Sequence, residues 1–329
     1  MPAVSPILRR RRLGAELRAL REAAGLTGDQ VIERVGWASA SKLSRLENGR
    51  SRPDPGDVAD LLDLYRAGPA QRAHLMHIAA QAGDIRVWLR SYPVMTARQR
   101  GYAELEAGCA EIREYSPTLV PGLLQTPEYA RVRILSTAAL GADHGEPENG
   151  GDLADPDTEV AARLSRQVLL ADEAVAPRYT AVLEESALGL RAGPPEMMDE
   201  QLARLCELAR LPHVTLLILP RDARIADWYL PPTAFSLYRF ADPRDPEMLA
   251  IESDFKNFLI SNKSGIDQYK MVFEWLSAAA LSATDSLAWL SLAAARAGDA
   301  PVPAMTPTQR SRSTAALTDR RPTGHRDRS

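Results

Sequence analysis

The amino-acid sequence predicts a mainly α protein, in which a bundle of five short helices precedes a larger α+β domain. In the first part apolar residues recur at helical spacing, and helix-capping residues separate the segments. Further along, amphipathic helices alternate with short apolar runs typical of buried strands. We predict four segments: a helical domain at 10–82, a connector at 83–100, an α+β domain at 101–297 and a disordered tail at 298–329.

The first helix is predicted from Leu13, Leu17 and Leu20, which follow one another at intervals of four and three residues. Gly25 comes after them as a helix stop signal. Four consecutive arginines, residues 9–12, precede the leucines. We interpret this run as a solvated arm, with a reader of the DNA minor groove as the alternative.

The next segment predicts two short helices joined by a turn. Thr27 is a suitable N-cap for the first of them, and Gly36 stands where a left-handed residue ends a helix. Ser39 is an N-cap for the second, in which only Leu43 and Leu46 can face a core. The other positions of that helix are mostly small or cationic, which is typical of a helix that enters the DNA major groove. The pattern is that of a helix-turn-helix.

Two more helices complete the predicted bundle. Asp54 before Pro55 is an N-cap followed by proline at the first helical position. Leu61 and Leu62 belong to the inner stripe of this fourth helix, and a fifth follows over residues 70–82.

The bundle resembles the Xre family of DNA-binding domains, which has the fold of phage repressor and Cro proteins. The segments that carry the resemblance are 20–27 (LREAAGLT) and 41–50 (SKLSRLENGR), together with the helical pattern between them. The resemblance covers residues 10–80 and implies a domain that binds double-stranded DNA through its third helix.

The family's arrangement also implies a set of site residues. Ala40, Ser41 and Arg45 would face base edges, and Arg45 is the best candidate for specificity because a guanidinium can bind guanine O6 and N7 together. Lys42 and Ser44, with Arg50 and Arg52 of the following loop, would instead reach phosphates, and Thr27 completes the implied DNA interface. Arg21 and Glu47 resemble a structural ion pair between the first and third helices.

Charge is distributed unevenly along the chain. Residues 1–100 hold 17 Lys and Arg against 10 Asp and Glu, a net of +7, whereas residues 101–296 hold 17 against 30, a net of −13. Residues 297–329 hold 6 against 3, so the three parts sum to the net −3 of the whole chain. This distribution predicts that polyanion binding is confined to the first domain.

The second domain resembles the large C-terminal domain of WhiJ-like regulators of actinobacteria, on the segments 111–130, 163–167 and 211–215. The resemblance implies an antitoxin-like regulator and a small partner protein encoded by an adjacent gene. Helices are predicted at 101–115, from 127, and at 158–171, 195–211, 265–281 and 282–297. Strands are predicted at 177–185, 213–220, 233–240 and 248–254, with a hairpin that continues to residue 260 as an option for the last of them. The apolar run at 115–127 is expected to be packed or to await a partner.

Several other classes of protein lack support in the sequence. His74 and His77 share one helix face but have no third metal ligand, and Cys109 and Cys206 match no metal or disulfide pattern. No phosphate-binding glycine loop or nucleophile motif is present, so we predict no catalytic residues, no metal and no cofactor. The chain has no apolar run of membrane-spanning length and no secretory signal pattern at its start, which predicts a cytoplasmic protein.

We therefore predict a sequence-specific DNA-binding transcription regulator that acts as a homodimer, because one recognition helix reads only a few base pairs. Its second domain would pair subunits, sense a ligand or hold a partner. Two alternatives stay open: an antitoxin-like, protein-binding regulator of its own operon, and an uncharacterised enzyme with a DNA-targeting domain.

Overall fold

The computed structural model describes residues 6–83, 92, 94–141, 155–174, 176–189, 193–251 and 258–299. The first domain contains helices α1 Pro6–Ala23, α2 Gly28–Val35, α3 Ala40–Glu47, α4 Pro55–Leu64 and α5 Pro69–Gly83. The second contains α6 Ala97–Glu106, β1 Cys109–Ser116, α7 Pro127–Gly141, α8 Pro156–Arg166, β2 Arg178–Glu184, α9 Pro195–Leu208, β3 Val214–Leu219, β4 Phe235–Phe240, β5 Met248–Ile251, β6 Phe258–Ile260, α10 Lys263–Ala279 and α11 Ala283–Asp299. The predicted fold class, a helical bundle followed by an α+β domain, is confirmed.

The five helices of the first domain enclose one apolar core. Leu13 and Leu17 of α1, Val31 of α2 and Leu61 of α4 are fully buried in it, and Leu43 of α3 is nearly so. These are the positions that the helical spacing of the sequence selects, which is why local pattern is sufficient to predict this bundle.

The second domain is built on a six-stranded mixed sheet in the order β3-β2-β1-β4-β5-β6. Strands β1, β2 and β3 are parallel, whereas β4, β5 and β6 pair in antiparallel fashion. One face of the sheet belongs to a core shared with α9 and α11, and the other face to a core shared with α10. Both faces are therefore covered by helices.

The predicted helix over residues 101–115 is wrong in its second half. Helix α6 ends at Glu106, and the central strand β1 begins at Cys109. Ile112 and Tyr115 are both buried although they are three residues apart, because they face opposite covered sides of the sheet. A strand buried on both sides can thus imitate the apolar spacing of a helix.

The interpretation of the arginine run as a solvated arm is also wrong. Residues 9–12 lie within α1, which begins at Pro6, and the Arg12 side chain is only 3% exposed. Leu8 is fully buried in the core of the second domain, whereas Leu13 and Leu17 belong to the core of the first. A single helix thus contributes to both cores.

The structure also settles part of the loop predictions. The apolar run at 115–127 is packed, since Val120, Leu123 and Leu124 are buried. The polar, glycine-rich stretch at 141–157, for which the sequence predicts a mobile loop, lies mostly outside the described residues. The same holds for residues 300–329 of the predicted tail and for most of the first half of the predicted connector. Among the helices that the structure describes, none is by itself long and apolar enough to span a membrane; α10 and α11 pass that test only as a pair bent by 64°.

Replacing Leu8 by alanine tests whether α1 is part of the second domain's core. We expect Leu8→Ala to lower the free energy of unfolding by about 2–5 kcal/mol, because a fully buried leucine is truncated. Denaturant unfolding measures this, with Leu292→Ala as the control, since Leu292 is 60% exposed and should change stability by less than about 0.5 kcal/mol. Equal small effects would show that the start of α1 does not pack as described.

Candidate nucleic-acid interface

Local capping interactions fix the ends of α2 and α3. The Thr27 hydroxyl accepts a hydrogen bond from the Gln30 backbone N–H at 3.3 Å, and the Gln30 side chain accepts one from the Thr27 N–H at 2.9 Å. Gly36 ends α2 with a φ of 73°, a left-handed conformation that favours glycine. The Ser39 hydroxyl then accepts from the Ser41 N–H at 3.2 Å and opens α3. The turn between the helices is therefore specified by its own residues.

Helix α3 has one buried and one exposed side. Leu43, Leu46 and Glu47 are buried. The exposed side carries the small and cationic residues of the predicted site: Ala40, Ser41, Ser44 and Arg45. Among the residues that the structure describes, the Arg45 side chain has no hydrogen-bond or ion-pair partner. A guanidinium in this position is available to an external acceptor.

Four residues of the predicted site are already engaged within the protein. Ser41 Oγ lies 2.9 Å from Ser39 Oγ, and Ser44 Oγ accepts a hydrogen bond from Asn48 Nδ2 at 3.3 Å; the other two are Lys42 and Thr27. Lys42 Nζ lies 2.6 Å from Asp57 Oδ1 and 4.4 Å from the centre of the Trp37 ring. The Thr27 hydroxyl caps α2, as described above. The Lys42 and Thr27 side chains thus stabilise the motif, and Lys42 could reach a phosphate only by leaving Asp57.

The end of α3 is fixed to α1 by a buried carboxylate. Arg21 Nε donates to Glu47 Oε1 at 2.7 Å, and Arg21 Nη2 donates to Glu47 Oε2 at 3.1 Å, so the ion pair is bidentate. This hydrogen bonding to Glu47 raises the pKa of Arg21. Arg18 Nε also donates to Glu47 Oε2 at 3.2 Å, and its Nη2 donates to Asn48 Oδ1 at 3.0 Å. The resemblance implied the pairing of Arg21 with Glu47, but the part played by Arg18 was missed.

The backbones of α1 and α3 approach each other closely at Gly14. A Cβ atom added there would lie 2.4 Å from the Glu47 carbonyl oxygen and 2.6 Å from that of Leu46. The sequence contains a sign of this contact, namely a glycine in the middle of a predicted helix. Glycine inside a helix is commonly required by close packing against a neighbouring element.

The loop after α3 also makes a close backbone contact with α1. Gly49 has a φ of 63°, and an added Cβ would lie 2.7 Å from the backbone N and Cα of Arg11. Arg50 and Arg52 follow in this loop, and both are exposed. The exposed cations of the loop and of α3 therefore belong to one continuous stretch of chain, residues 45–52.

The histidines of α5 do not assemble a metal site. His74 Nε2 lies 3.3 Å from Arg12 Nη2, and the His77 ring bonds to Gln81. Over the described ranges no group of three His, Cys, Asp or Glu side chains is placed to hold a metal ion.

A shallow cavity of about 150 Å³ lies on the second domain. Its charged lining is internally paired: Arg239 donates to Glu111 at 2.9 Å, and Lys270 pairs with Glu247. Arg113, which also lines the cavity, pairs with Glu274 at 2.8 Å, so each charged group of the lining has a partner of opposite charge among the described residues.

The geometry and one family match define the class of the first domain. Residues 12–75 match the family described as a helix-turn-helix domain (HTH_31), so the chain is a helix-turn-helix protein, and this domain supports a role as a DNA-binding regulator. Residues 99–291 match the family described as a domain of unknown function (DUF5753). That match covers more than half of the chain, and the protein belongs to the DUF5753 family. No curated protein and no solved structure matches the chain.

Substitution of Gly14 tests the close contact that positions α3. We expect Gly14→Ala to lower the free energy of unfolding by about 1–3 kcal/mol, because the methyl group forces α1 and α3 apart. The matched control is Gly101→Ala, a second helical glycine where an added Cβ meets no atom within 4 Å. That substitution should instead raise stability, by up to about 1 kcal/mol. Thermal or denaturant unfolding measures the stability of both variants. A change of stability in the same direction for Gly14→Ala and Gly101→Ala would contradict the close packing at Gly14.

Proposed function

We propose that this chain is a sequence-specific, DNA-binding transcription regulator of the Xre type that reads DNA with α3. The observation that carries the proposal is the exposed side of α3, which is small and cationic. It includes Arg45, whose side chain has no hydrogen-bond or ion-pair partner among the described residues. Small residues let a helix approach the floor of the major groove, while the guanidinium reaches a base edge.

The exposed cations divide into two roles in this proposal. Arg45 contacts a base, and Arg50 and Arg52 in the following loop contact phosphates, which fix the register of the protein on the duplex. Lys42 is a weaker candidate for a phosphate contact than the sequence suggested, since its ammonium group already pairs with Asp57.

The remaining assignments are finer parts of the same proposal. The protein acts as a homodimer in the cytoplasm, because two recognition helices are needed to cover two half-sites. The second domain pairs the subunits, senses a ligand or holds a small protein encoded by an adjacent gene, as the similarity to WhiJ-like, antitoxin-like regulators of actinobacteria suggests. No catalytic role is assigned to it.

Arg45→Ala and Arg50→Ala should have different effects on DNA binding. We expect Arg45→Ala to reduce the preference for selected over scrambled duplexes by roughly 5- to 150-fold, which corresponds to loss of one bidentate base contact. Arg50→Ala should weaken both duplexes alike and make the slope of log affinity against log salt shallower by about 0.9. Fluorescence anisotropy between 50 and 200 mM salt, with a duplex selected from a random library by the full-length protein, measures both.

Arg204→Ala is the control, because Arg204 pairs with Glu207 on the surface of α9 and should leave binding unchanged. Equal losses on both duplexes for Arg45→Ala would remove its role in base reading. Failure of the unaltered protein to retain any duplex at micromolar concentration would contradict the proposed function as a whole.

A further inference from the structure

Three of the four arginines of the run at 9–12 are neutralised by carboxylates of the second domain. The ion pairs join Arg9 to Asp245 at 3.4 Å, Arg10 to Glu104 at 3.2 Å, and Arg12 to Asp242 at 2.8 Å and Asp245 at 3.1 Å. Arg11 differs from its neighbours, since its Nη1 donates to the uncharged Ser261 hydroxyl at 2.8 Å. With respect to the residues that the structure describes, Arg11 therefore keeps an uncompensated positive charge at the boundary between the two domains.

This uncompensated charge lies next to the loop that follows α3. The backbone of Arg11 is in close contact with Gly49, and Arg50 is the next residue along the loop. Burial, and after it the positive charge of Arg50, lowers the pKa of Arg11. Within the described parts of the chain, no carboxylate lies within ion-pair distance of either guanidinium. Two adjacent guanidinium groups without a carboxylate repel each other and attract an anion.

A third cation, Lys263 of the second domain, is close along the chain to the serine that Arg11 contacts. Lys263 lies two residues after Ser261, so its Cα is within about 8 Å of the Cα of the serine that Arg11 contacts. Its side chain is exposed, and among the described residues it has no ion-pair partner. We refer to Arg11, Arg50 and Lys263 as the junction cations.

We propose that the junction cations bind DNA backbone phosphate together, so that the second domain takes a direct part in DNA binding through Lys263. Guanidinium groups match the geometry of phosphate oxygens, and the lysine adds a flexible point charge. The proposal rests on the function proposed above and extends the DNA interface beyond the helix-turn-helix, across the domain boundary.

Neutral substitutions in the full-length protein test the proposal. Arg11→Gln and Lys263→Gln should each make the salt slope of binding shallower by about 0.9, on selected and scrambled duplexes alike, and the double variant by about 1.8. Glutamine at position 11 retains a donor for the Ser261 hydroxyl. The matched control is Lys270→Gln, because Lys270 lies in the same helix as Lys263 but pairs with Glu247. The salt slope of this variant should equal that of the unaltered protein. Melting temperatures verify that each variant folds.

Arg50→Gln, measured in parallel, separates failure of this inference from failure of the proposed function. If Arg50→Gln makes the slope shallower while Arg11→Gln and Lys263→Gln match Lys270→Gln, the inference is wrong and the proposed function stands. If all of these variants match the unaltered protein and Arg45→Ala also has no effect, the proposed function fails too.

The same cations could instead serve a small phosphate compound. Titration of the protein–DNA complex with inorganic phosphate at constant ionic strength distinguishes a DNA phosphate from a free phosphate as the ligand. We expect phosphate at millimolar concentration to leave DNA binding unchanged. The opposite result would be that phosphate displaces DNA from the unaltered protein but not from Arg11→Gln. That result would assign the site to a free phosphate and overturn the proposal.

Discussion

Helix α1 is the element on which the rest of this structure depends, because it belongs to two hydrophobic cores at once. Leu8 is buried with the sheet of the second domain, and Leu13 and Leu17 are buried in the helical bundle. Its middle and C-terminal parts also support α3, through the close contact at Gly14 and the ion pair to Glu47. Displacement of either domain relative to the other must therefore disturb an apolar contact of α1.

The electrostatics of the junction explain how an acidic protein can present a basic surface. Carboxylates of the second domain neutralise three of the four consecutive arginines of α1, so these charges are used for domain contact. The positive charges left without carboxylate partners in the described region include Arg11, Arg45, Arg50 and Arg52. All four lie on or beside α3 and its following loop. Net charge alone, at −3 for the whole chain, gives no indication of this local excess.

Sequence reasoning succeeded where structure is decided locally and failed where it is decided at long range. Capping by Thr27 and Ser39 depends on neighbours two or three residues away, so the helix-turn-helix could be predicted. The carboxylate partners of Arg12 are more than 200 residues away in sequence, and no local sequence pattern predicts them. The sequence of β1 predicts a helix because the two covered faces of this strand hide the alternation that usually identifies a strand.

Hydrogen exchange of the full-length protein, with and without a selected duplex, tests whether α3 and its following loop contact DNA. The account predicts slower exchange of backbone amides over residues 39–52 when DNA is bound, since α3 and its loop form the interface. It also predicts slower exchange around Arg11 and at the start of α10, where the junction cations lie. Binding of DNA that left exchange over residues 39–52 unchanged would contradict the account.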